Sequence, residues 1–314
     1  MRTLSALLAV VGLSALALTG CSSGTAASSC PSPTSSGSAA SLIQVSGDVG
    51  SAPTVTIATP FHTSENSWTT LVQGSGTPIT ADDQLVVLGV TFARGNDGKT
   101  VNSAYGAQAP VQPVSYWTQL FPGLRKALQC ATPGSRVAVA LPPSGYAPGV
   151  VSGLGPKDSG ALVVDVQKVY LTKADGADQY NAGFGLPTVV RTDTGRPGVI
   201  VPDGSAPTDV VVQTLKKGDG EKVTGTDPVR IHALEVTWDD KKVVNTTWDG
   251  EPQSVDLSTL SPDLGDALKD KTVGSQLMIV VPAGQDTDNT GDTKQAHVYV
   301  IDILGIDPAS STNG

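Results

Sequence analysis

The sequence has few aromatic residues, few cysteines and few histidines. Its 314 residues include four Phe, four Trp, six Tyr, three Cys and three His. The histidines, His62, His232 and His297, lie far apart and show no i, i+2 or i, i+4 spacing, which metal motifs favour. No local motif suggests a Ser-His-Asp or Cys-His arrangement either. The residue pattern therefore does not indicate a metalloenzyme or an enzyme with an activated nucleophile.

Positive charge is also scarce. Lys and Arg total 20 against 29 Asp and Glu, which gives a net charge of −9 at pH 7. Proteins that bind nucleic acid or anionic headgroups through electrostatics carry clustered basic residues. The sequence therefore predicts no nucleic-acid partner and no basic patch for membrane attachment.

Only one long apolar run occurs, and it lies at the N-terminus. Leu7 to Leu18 follows Arg2 and ends at Leu18-Thr19-Gly20-Cys21. The run is too short to span a membrane and indicates a signal peptide over residues 1–20. Its end resembles the bacterial lipobox, which implies a lipid on Cys21 and an extracytoplasmic protein anchored to the cell membrane. The alternative is an ordinary signal peptide with an incidental cysteine.

Residues 21–41 consist almost entirely of Ser, Gly, Ala, Thr and Pro, and this composition predicts a flexible tether. Apart from Cys21, the chain has only Cys30, in this tether, and Cys130. Two thiols in an oxidising compartment suggest a disulfide between them. Two free thiols remain the alternative, because spacing cannot show that the residues meet.

The rest of the chain contains an internal repeat. The stretch from Leu120 to Tyr146 recurs from Leu264 to Gly284, with shared landmarks that are each 140 residues apart: Leu124 and Leu264, Gly134 and Gly274, Pro142 and Pro282. Equal spacing across several landmarks predicts two copies of one fold. We place the first copy at 42–172, a linker at 173–185, the second copy at 186–307 and a tail at 308–314.

Short runs rich in Val and Ile, separated by Gly, Pro, Asn and Asp, dominate both copies. The predicted strands are Thr54–Ile57, Gln84–Thr91, Arg136–Leu141, Ala161–Leu171, Val210–Thr214, Val229–Thr237, Gln276–Val281 and Val298–Leu304. Hairpin turns are predicted at Gly95–Gly98 and Trp238–Lys241, and helices at Tyr116–Gln129 and Ser258–Lys269. This inventory predicts an α+β fold with antiparallel strands.

The order of the motifs resembles the FKBP-type peptidyl-prolyl isomerases in each copy. The first copy offers Gly74-Ser75-Gly76, Gly98-Lys99, Val101-Asn102-Ser103, Leu120-Phe121-Pro122-Gly123-Leu124, Pro142-Pro143-Ser144-Gly145-Tyr146 and Leu162-Val163-Val164-Asp165-Val166. The second offers Gly218-Asp219-Gly220, Lys241-Lys242, Val244-Asn245-Thr246, Leu264, Pro282 and Val300-Ile301-Asp302-Ile303. The resemblance implies two tandem FKBP-like domains, each an antiparallel curled sheet wrapped around one short helix.

The resemblance also implies a function: isomerisation of proline-containing peptides or unfolded exported proteins, with no cofactor. The implied site residues of the first copy are Tyr146, Phe121, Leu120, Leu124, Val101, Asn102 and Val164. Most of the aromatic residues that line the pocket in the family are replaced in this chain. The family's Tyr on the first long strand aligns with Gly89 and Ala233. The second copy also lacks a counterpart of Tyr146. We therefore expect weak activity confined to the first copy. The same residues could instead merely fill the space between sheet and helix.

Two other functions remain open. One is a non-catalytic peptide- or protein-binding scaffold lipoprotein that retains the fold. The other is a solute-binding lipoprotein, which the small number of helices disfavours.

Two minor features of the sequence each have a structural interpretation. Asp286-x-Asp288-x-Thr290-Gly291-Asp292 resembles the start of a calcium loop, but its twelfth position is His297 rather than Glu, which favours a solvated acidic loop. Trp248 could cover the mouth of the second copy's cavity, although packing alone explains it equally well.

Overall fold

The computed structural model describes residues 30, 35–106, 109–181, 183–284 and 295–308. Cys21, the signal segment and the acidic loop at 286–292 lie outside the described residues. The chain divides into two units after Pro31, and the fold below belongs to the second unit, Ser32–Gly314. Among the described residues, no helix is long and apolar enough to cross a membrane.

Two similar halves follow one another along this unit. The first contains β1 to β9, which are Ser35–Ser36, Gln44–Ser46, Thr54–Thr56, Ser67–Val72, Leu85–Arg94, Thr100–Ala104, Val111–Pro113, Arg136–Leu141 and Gly160–Val169. The second contains β10 to β18, which are Ala177–Asp178, Thr188–Arg191, Pro197–Ile200, Val211–Lys217, Val229–Thr237, Val243–Thr246, Gln253–Val255, Gln276–Val281 and His297–Ile306. The helices are α1 (Val114–Leu120), α2 (Leu124–Leu128) and α3 (Pro262–Leu268).

The sheets of the two halves have the same strand order. In the described residues the first sheet runs β1-β4-β8-β9-β5-β6 with β7 also on β5, and the second runs β10-β13-β17-β18-β14-β15 with β16 also on β14. Every strand pair is antiparallel. The prediction of an α+β fold in two tandem copies is confirmed.

The repeated Gly-Ser pairs form the same kind of turn in both halves, just before β8 and β17. The Ser135 hydroxyl accepts the N–H of Gly74 at 3.0 Å, and the Ser275 hydroxyl accepts that of Gly218 at 3.0 Å. Gly134 and Gly274 precede these serines with φ of +83° and +90°, a region that favours glycine. The Gly-Ser landmarks are therefore conformational requirements of one shared turn.

Both faces of each sheet are covered. The inner face packs against the helices, and the outer face packs beneath a hairpin, β2–β3 in the first half and β11–β12 in the second. The central strand Leu85–Arg94 is therefore buried on both sides and consists of an almost continuous apolar run.

Several predicted boundaries differ from the structure. The helix predicted at Tyr116–Gln129 is two helices, because Pro122 and Gly123 follow the end of α1 and Phe121 leaves helical geometry with φ −130° and ψ 80°. The tether predicted to reach residue 41 ends earlier: Ser35–Ser36 pairs with β4, and Ala40 is fully buried in the outer cluster. The linker predicted at 173–185 contains β10, which pairs with β13.

Cys30 and Cys130 are both disulfide-bonded. Their pairing with each other stays a prediction.

Candidate functional site

The site residues predicted for the first half converge on the inner face of its sheet. Leu124, Val164 and Phe121 belong to the buried inner cluster, with exposed fractions of 0, 0 and 3 %. Leu120, Val101 and Tyr146 pack against that cluster and are only partly buried. We call these last three residues the rim. Asn102 belongs to β6, but its side chain lies outside the described part of the structure.

Three aromatic rings meet beside this rim. Phe92 and Phe121 stack with ring centroids 6.2 Å apart, and Tyr146 meets Phe92 edge-on at 5.9 Å. Both separations lie in the range where aromatic rings attract one another. We call Phe92, Phe121 and Tyr146 the aromatic trio.

Phe92 is not among the site residues predicted from the sequence, although the alternation of side chains along the strand indicates it. Leu88, Val90 and Phe92 alternate along β5 and all enter the inner cluster. Trp117 of α1 and Trp68 of β4 also belong to this cluster and were not predicted as part of the site.

The prediction that Gly89 occupies the position of the family's pocket Tyr is wrong. Val90, not Gly89, pairs with Val164 of the inner cluster, and Gly89 pairs with Asp165, whose side chain binds the outer hairpin. A Cβ on Gly89 would collide with the ring of Tyr105. Gly89 therefore lies on the outer face, and Val90 is the residue equivalent to Ala233, which pairs with Ile301.

The rim is held by contacts between the helix break and the corner after β8. The N–H of Ala147 donates to the carbonyl of Leu120 at 2.8 Å, and that of Gly123 donates to the carbonyl of Gly145 at 3.3 Å. A Cβ on Gly123 would overlap Leu141 and the Asn66 amide. The absence of a side chain at Gly123 thus lets the corner and the helices touch.

The hydroxyl of Tyr146 is already occupied. It donates to the carbonyl of Asp158 at 2.6 Å, and the Asp158 carboxylate accepts the N–H of Gly155 at 2.7 Å. Burial, with a smaller contribution from Asp158, raises the pKa of Tyr146, so the phenol stays protonated at neutral pH. Tyr146 therefore fixes the loop that follows it and presents its ring, rather than a free hydroxyl, at the rim.

The second half carries a polar group in place of the aromatic trio. Phe92 pairs with Leu162 across the first sheet, and the equivalent pair in the second sheet is Glu235 with Tyr299. One Glu235 oxygen lies 2.6 Å from Nδ1 of His297 and accepts the Tyr299 hydroxyl at 3.0 Å. Glu235 and His297 are 4 and 2 % exposed. On the inner face of the second half, buried hydrogen bonds therefore occupy the position that packed aromatic rings occupy in the first half.

Trp248 does not cover this inner face. It packs against the outer cluster of the second half and stacks on His232. Among the described residues, no group of three or more His, Cys, Asp or Glu is arranged to hold a metal ion.

No family model matches the chain, and no curated protein matches it. Solved structures do. The structural neighbours are FKBP-type peptidyl-prolyl isomerases. The three FKBP domains of wheat FKBP73 match with 13 % identity and a TM-score of 0.32, over 77 % of this chain and 94 % of theirs.

Two bacterial structures match shorter parts. FkpA from Escherichia coli shares 22 % identity at a TM-score of 0.29, over 38 % of this chain and 52 % of its own. A peptidyl-prolyl cis-trans isomerase from Pseudomonas syringae shares 17 % identity at a TM-score of 0.28, over 31 % of this chain and 75 % of its own.

Proposed function

We propose that the first half binds proline-containing segments of unfolded exported proteins at the rim and accelerates their cis-trans isomerisation weakly. The observation that carries this proposal is the aromatic trio beside the partly open rim of Leu120, Val101 and Tyr146. Proline rings bind to apolar and aromatic surfaces, and the edge of Tyr146 and the side chain of Leu120 offer such a surface.

The chemistry requires no nucleophile and no metal. Rotation about an X-Pro bond faces a barrier of about 18–20 kcal/mol because amide resonance flattens the bond. An apolar surface favours the twisted amide over the planar one, since twisting reduces the amide dipole that water solvates well. The residues of the rim supply that surface.

Two features of the site support low activity. The innermost residues, Leu124 and Val164, are fully buried, so a proline ring meets a filled floor and rests on the rim. The Tyr146 hydroxyl is bound to the Asp158 carbonyl and is not free to hold a substrate carbonyl, which preorganised donors do elsewhere. Binding energy specific to the twisted state is therefore small.

The second half supports binding or structure rather than isomerisation. Its equivalent position holds the hydrogen-bonded polar groups of Glu235, His297 and Tyr299, and a proline ring gains little from contact with such groups. A non-catalytic scaffold is the alternative for the whole chain, and the filled floor of the first half favours it.

Peptide titration of the full chain tests the proposal. A short proline peptide should shift the NMR signals of Leu120, Val101 and Tyr146 and leave those of Tyr299 unchanged. Tyr146→Ala should weaken this binding, whereas Tyr180→Ala, at a residue 95 % exposed, should not. Binding that survives Tyr146→Ala unchanged would show that the assigned site is wrong.

We further propose that the protein is exported and anchored to the membrane through a lipid on Cys21. The support is the lipobox-like sequence Leu18-Thr19-Gly20-Cys21 after a short apolar run. Cys21→Ser should move the protein from the membrane fraction to the soluble fraction. Mass spectrometry of the mature N-terminus would show an unmodified cysteine if the proposal is incorrect.

A further inference from the structure

A cleft lies where the two halves meet. Its volume is about 140 Å³, whereas a single water needs roughly 10–15 Å³ of such space, so the cleft admits a group of several heavy atoms. Both halves contribute to the lining, which consists of Asp83, Gln84, Leu85, Pro113, Ser115, Leu171, Thr172, His232, Gly250, Glu251 and Pro252. The cleft shares no residue with the rim or the aromatic trio.

The charge of the cleft has one sign. Asp83 from the first half and Glu251 from the second are exposed, and the lining contains no lysine or arginine. The nearby Arg230 donates to the Pro252 carbonyl at 3.1 Å, and it is paired with Asp307 at 2.7 Å. Its charge is thus offset within the second half, and the two carboxylates of the cleft remain available to a ligand.

His232 supplies an independent polar feature of the same cleft. The residue is only 7 % exposed, yet it belongs to the lining. The ring stacks on Trp248 at a centroid distance of 4.3 Å, and Nδ1 lies 2.8 Å from the Thr247 hydroxyl. Hydrogen bonds among the described residues thus use Nδ1 of His232 and do not use Nε2.

His232 is uncharged at neutral pH. Burial lowers its pKa to about 4, and the attraction of Asp83 only partly opposes this effect. A neutral ring does not cancel the carboxylates, and its second nitrogen accepts a hydrogen bond when Nδ1 carries the proton.

We propose that this cleft is a second ligand site, which binds a compact organic cation through Asp83, Glu251 and the Nε2 atom of His232. A guanidinium or primary ammonium group fits these three acceptors, because it carries several N–H donors and a positive charge. Both halves must contribute, since Asp83 and Glu251 belong to different repeats. The cation reaches the cleft either as a free small molecule or as the side chain of a basic peptide.

NMR titration of the full chain can test this proposal. The protein has only three histidines, so the imidazole signal of His232 can be identified by its loss in His232→Gln. The probes are ethylguanidinium, the peptide acetyl-Gly-Arg-Gly-amide and its neutral counterpart acetyl-Gly-Gln-Gly-amide. We expect ethylguanidinium or the arginine peptide to shift the His232 signal saturably, and the glutamine peptide to leave it unchanged.

The matched variants separate this site from general electrostatics. Asp83→Asn combined with Glu251→Gln should weaken binding about tenfold or more, because two charge-assisted hydrogen bonds are lost. Glu65→Gln removes an exposed charge elsewhere in the first half and should leave the affinity unchanged. Tighter binding of ethylguanidinium would indicate a free small molecule as the source of the cation, and tighter binding of the arginine peptide would indicate a peptide side chain.

Three results would overturn the proposal. The first is the absence of a saturable shift of the His232 signal with either cation. The second is equal affinity in the double variant and the wild type, and the third is an equal loss in Glu65→Gln. The carboxylate variants at Asp83, Glu251 and Glu65 replace exposed side chains, so unchanged circular dichroism should accompany the measurements.

Discussion

Two equivalent aspartates show how single residues adapt the same position differently. In the first half, Asp165 is 0 % exposed and pairs with Arg136 through contacts of 2.6 and 2.7 Å. In the second half, Asp302 is also buried, but its partner on the neighbouring strand is Gln276, whose amide donates at 2.6 Å. Burial therefore raises the pKa of Asp302 to about 6, against the opposing hydrogen bonds from Ala174 and Gln276.

This pKa predicts how stability depends on pH. The unfolded pKa of an aspartate is about 3.9, so the folded protein holds the Asp302 proton more tightly. The resulting contribution of Asp302 to the free energy of unfolding is fully present below about pH 4 and is lost as the pH rises to about 6. The loss is on the order of 2–3 kcal/mol, from 1.36 kcal/mol per pKa unit.

Urea unfolding at several pH values checks this prediction. Asp302→Asn should remove the decline in the free energy of unfolding between pH 4 and 6. The control Asp239→Asn, at an exposed aspartate, should keep it. A decline of the same size in Asp302→Asn would assign the pH dependence to another group.

The buried pair of the first half predicts a large effect of a single substitution. Arg136 also donates to the carbonyls of Gly47 and Asp48, at 2.5 and 2.8 Å, and so attaches the outer hairpin to the sheet. Arg136→Met would leave Asp165 buried without its charged partner, which typically costs about 3–5 kcal/mol.

An exposed pair provides the matched control for Arg136. Arg125 and Asp82 also form an ion pair, but their side chains are 58 and 57 % exposed. Arg125→Met should change the free energy of unfolding by less than about 1 kcal/mol. Similar losses in the two variants would contradict the assigned role of burial.

At the scale of elements, the break between α1 and α2 determines whether the rim exists. Gly123→Ala would place a methyl group against Leu141 and Asn66 and separate the helices from the corner that carries Tyr146. We expect a loss of about 1–3 kcal/mol, as for overpacking in a core, together with weaker peptide binding. Gly204→Ala, where no atom lies within 4 Å of the added carbon, should change neither quantity.

The strands and the repeat could be predicted because apolar runs and turn residues encode them locally. Arg136–Leu141, Val229–Thr237 and Gln276–Val281 have the predicted bounds. The contribution of residues 35–42 to the first half could not be predicted, because Ser and Ala show no apolar periodicity. Their order depends on tertiary contacts, such as the N–H of Ala40 donating to the Ser67 hydroxyl at 2.9 Å.

The candidate site was predicted in part for the same physical reason. Leu120, Phe121 and Tyr146 lie in one recognisable stretch of sequence, so their proximity could be anticipated. Glu235 and His297 are 62 residues apart and meet only because β14 pairs with β18. Exact strand register decides such contacts, and a shift of one residue, as at Gly89, reverses the face.

At the scale of the whole molecule, the two halves are linked by backbone and side-chain contacts. The N–H of Leu171 donates to the carbonyl of Leu304 at 3.0 Å, and the guanidinium carbon of Arg230 lies 5.7 Å from the ring centroid of Tyr170. Tyr170 is fully buried. The two halves are therefore one connected unit. This unit carries both proposed sites, the proline site in the first half and the cation site between the halves.

Catalysis of prolyl isomerisation by the full chain is the most direct test of the proposed function. The exchange rate of a proline tetrapeptide would be measured by NMR for the wild type, Tyr146→Ala and Tyr180→Ala. Uncatalysed exchange takes roughly 10–100 s at 25 °C. We expect the wild type and Tyr180→Ala to accelerate it equally and Tyr146→Ala to lose the acceleration. Equal exchange rates with and without the wild-type protein would contradict the isomerase proposal and leave the binding scaffold.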